Sequence, residues 1–143
     1  MQNRIFKKYA VVLSFILFPA HAAIITDGSL GAKVTLSGSE MQITPNLGQQ
    51  LGSNLFHSFQ DFNLSAGEIA TFSGVNSIQN IIARVTGGNP SIIDGTLRST
   101  LPNADLYLLN PYGVMFGQNA KLDLQGGFHV STADYLRLRR RTF

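Results

Sequence analysis

Four alternating apolar pairs, Leu106/Leu108, Val114/Phe116, Leu122/Leu124 and Phe128/Val130, start eight, eight and six residues apart. Alternation in an extended strand puts both members of a pair on one face. Turn formers stand between the pairs: Asn110-Pro111-Tyr112-Gly113, Gly117-Gln118-Asn119 and Gly126-Gly127. Three short strands and three turns thus occupy the 22 residues from Leu106 to Phe128, and Ile92 to Val114 spans the same interval. That spacing predicts one coil of a parallel β-helix, in which inward side chains stack on their counterparts in the next coil. A β-sandwich is the rival, but its hairpins favour two-residue Asn-Gly connections, and the connections here are of another kind.

Upstream the same texture continues. No stretch from 23 to 130 keeps a helical apolar period for three turns, so an all-β fold is expected. Strands are predicted at 33–36, 41–44, 68–72, 78–86, 91–93, 96–99, 105–109, 113–116, 121–124 and 128–131, separated by Gly, Asn, Asp and Pro clusters. Between them, Phe56, Phe59 and Phe62 lie three apart, which an unbroken strand cannot place on one face. A kink, bulge or short helical turn is expected there, with the rings either filling the core or offered as an edge to a partner.

The first residues are of another character. Arg4, Lys7 and Lys8 precede an apolar run from Tyr9 to Phe18, which ends at Pro19-Ala20-His21-Ala22. The run is shorter than the roughly 20 apolar residues of a membrane-spanning helix. Ala20 and Ala22 fit the small-x-small pattern of a secretory leader, predicting a leader over 1–22 cut between Ala22 and Ala23. Its removal takes three of the eleven basic residues and leaves eight against eight acidic ones. Four of those eight stand in the last seven positions, so the body from 23 to 136 has no basic stripe and nucleic-acid binding is not expected. The chain has no cysteine. That suits a chain that must cross a second membrane unfolded, and equally an exported protein that simply lacks disulfides.

Ordered motifs narrow the reading. They are Ile43-Thr44-Pro45-Asn46-Leu47-Gly48-Gln49, Asn54 to Leu64, Asp94-Gly95-Thr96-Leu97, Asn110 to Gly117, and Ala120 to Asp134. Over about residues 24–136 the chain resembles the N-terminal secretion domain of filamentous haemagglutinins, exoproteins of two-partner secretion. The resemblance implies a right-handed parallel β-helix with small extra-helical β elements, spanning 23–136. It implies as partner the periplasmic domains of a dedicated outer-membrane pore, and export through the periplasm to the medium or surface of a Gram-negative-type bacterium. It also implies a passenger, an adhesin, haemolysin or toxin, through which a host-cell or glycan surface would be met. Its two Asn-Pro motifs map onto Asn110, Pro111, Tyr112 and Gly113 and onto Pro45, Asn46 and Leu47. Tyr112 stands where the family commonly has Asn, and Thr44 where Asn often precedes the proline.

Each motif also has a plainer reading. Pro111 suits the second position of a turn, Gly113 can close it at positive φ, and the Asn110 amide can cap the corner. That makes the segment a coil corner as readily as a transporter-recognition surface. Catalysis is not expected. His57, Ser58 and Asp61 form a triad by composition only, no Gly-x-Ser-x-Gly elbow is present, and Asp94, Asp105 and Asp123 are the sole candidates for a β-helix glycosidase site. His57 and His129, without cysteine, lack the company a zinc site needs, and no cofactor is expected. Residues 137–143, Arg-rich, abandon the strand pattern. They are read as an irregular tail left by truncation, the alternative being a short stand-alone secreted adhesin or carbohydrate-binding β-protein.

Overall fold

The computed structural model describes residues 22–138 and 141–142; the leader expected over 1–22, Ala22 apart, lies outside the described residues. Fifteen strands follow one another among the described residues: β1 (Ile24–Thr26), β2 (Thr35–Leu36), β3 (Glu40–Ile43), β4 (Gly48–Leu51), β5 (Asn54–Phe62), β6 (Ile69–Phe72), β7 (Asn80–Val85), β8 (Ser91–Ile93), β9 (Thr96–Ser99), β10 (Asp105–Leu109), β11 (Val114–Phe116), β12 (Lys121–Asp123), β13 (Phe128–Ser131), β14 (Arg137–Leu138) and β15 (Arg141–Thr142). A 3-10 turn, Pro45–Leu47, separates β3 from β4.

The strands wind into a parallel β-helix of about four turns. Three parallel sheets form its walls: β5-β7-β10-β13, β3-β6-β9-β12 and β8-β11, which are called here the first, second and third walls. From β7 onward the chain visits first, third and second wall in turn; between β5 and β6 it meets the third wall only at Leu64, bridged in parallel to Ile93. Against the free edge of β5 lie β4 and β1, both antiparallel, and β2 extends β1. These are the extra-helical elements.

Alternation decides what is inside. In the first wall Leu55, Ile81, Leu106 and Phe128 occupy one register row, and in the second Met41, Ala70, Leu97 and Leu122 do so. The first three members of each row are buried at 2% exposure or less. The members from the last coil are not: Leu122 is 53% exposed, and Phe116 and Val130 behave alike, because among the described residues no further coil covers them. Their counterparts one coil back, Ile93, Leu97 and Leu108, are fully buried. Stacking on a neighbour, and not the strand itself, buries the apolar pair.

The phenylalanine spacing is resolved by a bulge. Ile25 pairs with Asp61 but Thr26 pairs with Phe59, so β5 carries an extra residue at Gln60. The bulge reverses the alternation and turns both Phe59 and Phe62 inward, where they meet edge to face at 5.0 Å, with Phe72 stacked 6.2 Å from Phe62. Phe56, four residues before the bulge, is half-buried on the outer face.

Two expectations are corrected. The 22-residue interval holds only for β10 to β13; β5 to β7 takes 26 and β7 to β10 takes 25, read from Leu55, Ile81, Leu106 and Phe128. Ile92 is in register with Met115, not Val114, so that coil takes 23 residues between register partners. The tail read as irregular pairs Arg137–Leu138 with Arg141–Thr142 as a small antiparallel ladder.

Candidate recognition corners

The two motifs singled out in the sequence fall on different corners. Pro45-Asn46-Leu47 lies where the chain leaves the second wall for β4, and Asn110-Pro111-Tyr112-Gly113 where it leaves the first wall for the third. The first leads into Gly48, which pairs with His57 in the middle of β5, and the second follows the C-terminal end of β10.

At the second corner Asn110 is fully buried, at 0% exposure. Its amide nitrogen donates to the Asn89 carbonyl and to Ser91 Oγ, each at 3.0 Å, and its amide oxygen accepts the Tyr112 N–H at 2.9 Å. The Gly113 N–H closes the turn on the Asn110 carbonyl at 3.0 Å, and Gly113 takes φ +111°. One side chain thus ties its own corner to the corner one coil earlier. Pro111 and Tyr112 remain exposed, with Tyr112 over Gly88 of that earlier corner. Beside them Ile92 and Met115, register partners on the outer face of the third wall, are 54% and 62% exposed.

The first corner is built the other way round. Pro45 and Asn46 are exposed. The turn is closed by backbone, Leu47 N–H to the Thr44 carbonyl at 3.0 Å, and Asn46 accepts a hydrogen bond from the Thr44 hydroxyl. Proline at the start of the turn needs no N–H there. The turn sets Gly48 directly over His57, to which it pairs across the β4–β5 ladder. A Cβ on Gly48 would lie 2.7 Å from His57 Nδ1 and closer still to the Phe56 carbonyl, so only glycine fits.

His57 is itself in the core, 1% exposed, between Phe59 at 5.9 Å and Phe72 at 5.6 Å. Neither ring nitrogen has an aligned hydrogen-bond partner. Burial pushes its pKa down to about 4, and the adjacent Leu47 backbone offsets this only in part. Ser58, next in sequence, turns elsewhere: its hydroxyl donates to Asp27 at 2.5 Å and accepts from Arg84 at 3.1 Å. Asp61 accepts from Asn89 and Gln60. The three candidates of a triad therefore face three different surroundings. Asp94, in the corner between β8 and β9, holds the Asn119 N–H, Asp105 on the first wall the Gly127 N–H and Asp123 on the second wall the Arg98 guanidinium. Among the described residues no group of three or more His, Cys, Asp or Glu side chains is placed to hold a metal.

The sequence reading missed Asp27. Burial pushes its carboxyl up, but hydrogen bonds from Ser29, Ser58 and Thr86 outweigh this and hold it at about 2. It brackets the β1–β2 loop onto β5 and the end of β7. Ser58 and Thr86 lie 31 and 59 residues away, and no local pattern signals partners at such range.

A parallel β-helix with antiparallel extra-helical strands and two proline corners defines a β-solenoid domain. The TPS secretion domain family model matches residues 22–143, and the chain belongs to that family, the secretion-targeting domains of two-partner secretion exoproteins. A search of curated proteins finds no match.

Proposed function

We propose that the periplasmic domains of a cognate outer-membrane pore recognise this domain through its exposed corner residues, after a leader over residues 1–22 has delivered the chain and been cut at Ala22–Ala23. The exoprotein is read as of the haemagglutinin or adhesin type, its passenger meeting host-cell or glycan surfaces. The module itself is read as non-enzymatic. The observation that carries recognition is the division of labour at the second corner: buried Asn110 fixes the turn, and Pro111 and Tyr112 stand out from it. Under this reading a loss of export on changing Asn110 acts through the corner's shape, whereas Tyr112 and Pro111 contact the pore directly.

Coil stacking then supplies direction. If each coil that docks on its predecessor buries about 300 Å² of apolar surface, transfer contributes roughly 7 kcal/mol before conformational entropy is subtracted. Only a small surplus is needed to disfavour return through the pore. Co-expression with a candidate pore tests recognition. Tyr112→Ala should cut the exported fraction at least threefold with an unchanged unfolding midpoint. Undiminished export together with loss of cell or glycan binding would favour the stand-alone adhesin.

A further inference from the structure

The bond between Ala22 and Ala23 lies immediately beside the folded edge of the molecule. The Ala23 carbonyl accepts the Asn63 N–H at 3.2 Å. Ile24, one residue further on, is 0% exposed and sits inside its sheet, paired with Leu36 of β2 on one side and Phe62 of β5 on the other. Thr26 is 2% exposed, and its hydroxyl donates to the Ala32 carbonyl at 2.8 Å and accepts the Val34 N–H at 2.7 Å. Asp27 adds the bracket to Ser58 and Thr86. Ala22 and Ala23 themselves are half-buried, lining a groove with Asp61, Asn63, Pro90 and Ile92.

Proteolytic cutting concentrates in exposed, poorly ordered backbone, and a folded segment is cut through its transiently opened form. A peptidase cleft that takes an extended segment needs the same backbone groups that β1 gives to β2 and β5. We infer that leader removal at Ala22–Ala23 and closure of β1 into the sheet are mutually exclusive, so that cleavage comes before this edge folds and the folded precursor is a poor substrate. This rests on reading residues 1–22 as a leader. The step is hydrolysis: water adds across the Ala22–Ala23 amide, the carbonyl carbon leaves as the leader's terminal carboxylate, and the nitrogen becomes the α-ammonium of Ala23. That ammonium then appears in the groove that Asp61 lines.

The test uses the full 143-residue precursor, diluted from denaturant into detergent micelles, with a membrane leader peptidase added at increasing delays. Intact mass reads the cut and circular dichroism reads folding. The inference expects cleavage between Ala22 and Ala23 when peptidase is added early, and a rate at least tenfold lower once folding is complete. Ile24→Ala, which loosens β1, should raise the rate of the folded form at least tenfold. Should that variant fail to fold, the delay series on the unaltered chain decides alone. A folded precursor cut as fast as the unfolded one overturns the inference and leaves the leader reading standing. No cut at this bond at any delay overturns the leader reading, and the inference with it.

Discussion

The two proline corners reach the same outcome, a tight change of direction between walls, by opposite means. At Asn110 the polar side chain is buried and makes three hydrogen bonds, two of them to the preceding coil. At Asn46 the polar side chain is exposed and, among the described residues, bonds to Thr44 alone, while the structural burden rests on Gly48 and the buried His57 beneath it. A corner inside the stack is held by the coil before it. The other corner has no earlier coil among the described residues and is held by the fit of glycine against a ring.

Substitutions should expose this difference in a definite order. Gly48→Ala is expected to cost most, about 3 kcal/mol or more, because the new methyl meets the Phe56 carbonyl and the His57 ring and neither can withdraw. Urea unfolding monitored by tyrosine fluorescence measures it. Acid should strike the same corner nearly as hard. The folded value of His57, about 4, lies below its ordinary 6.5, so the unfolded chain binds the extra proton. Stability is then full above pH 6.5 and falls as pH drops toward 4, by about 3 kcal/mol. His57→Leu should flatten that segment of the profile. Among the described residues no carboxylate bonds to the ring: β4, β5, β6 and β7 present Gly48, Phe59, Phe72 and Ala83 around or in register with it, Asp61 and Arg84 are bonded elsewhere, and Asp134 lines the groove that His57 also borders. Asp27 has a separate and lower window, its contribution present above 3.8 and lost as pH falls to about 2.

The other corner should respond to neither. Asn110→Ala is expected to cost about 2 kcal/mol by leaving the Asn89 carbonyl, Ser91 hydroxyl and Tyr112 N–H without partners, and this loss should be constant between pH 4 and 7. Asn46→Ala should be the smallest, within about 0.5 kcal/mol of the unaltered chain by the same unfolding measurement. A large Asn46 effect, or a pH-dependent Asn110 effect, would dissolve the contrast between the corners.

Much of this was legible in the sequence where structure is set by neighbours along the chain. Strands β8, β9, β10 and β13 fall on their predicted bounds, because each is an alternating run closed by turn residues. The Asn110 turn was readable from Pro111 and Gly113, and of the two readings of Asn110 the buried cap is the one its hydrogen bonds support. The kink expected among the phenylalanines is the bulge at Gln60. What escaped depends on distance. Strand β4, with Gln49 and Gln50, has no apolar alternation and exists because β5 offers it an edge. The Asp27 bracket and the pairing of β1 with β5 join segments whose sequences carry no mark of each other. The unequal coil lengths escaped because corners absorb residues without disturbing the strands between them.

The antiparallel strands laid along β5 give the first wall two unlike ends. On that side an incoming parallel strand finds β1 and β4 already in place, so a second copy cannot thread its own final coil there and continue the winding. A lattice sealed at one face can lengthen only from the other, as a crystal grows from a blocked seed. For this wall a further parallel strand can be added only beyond β13.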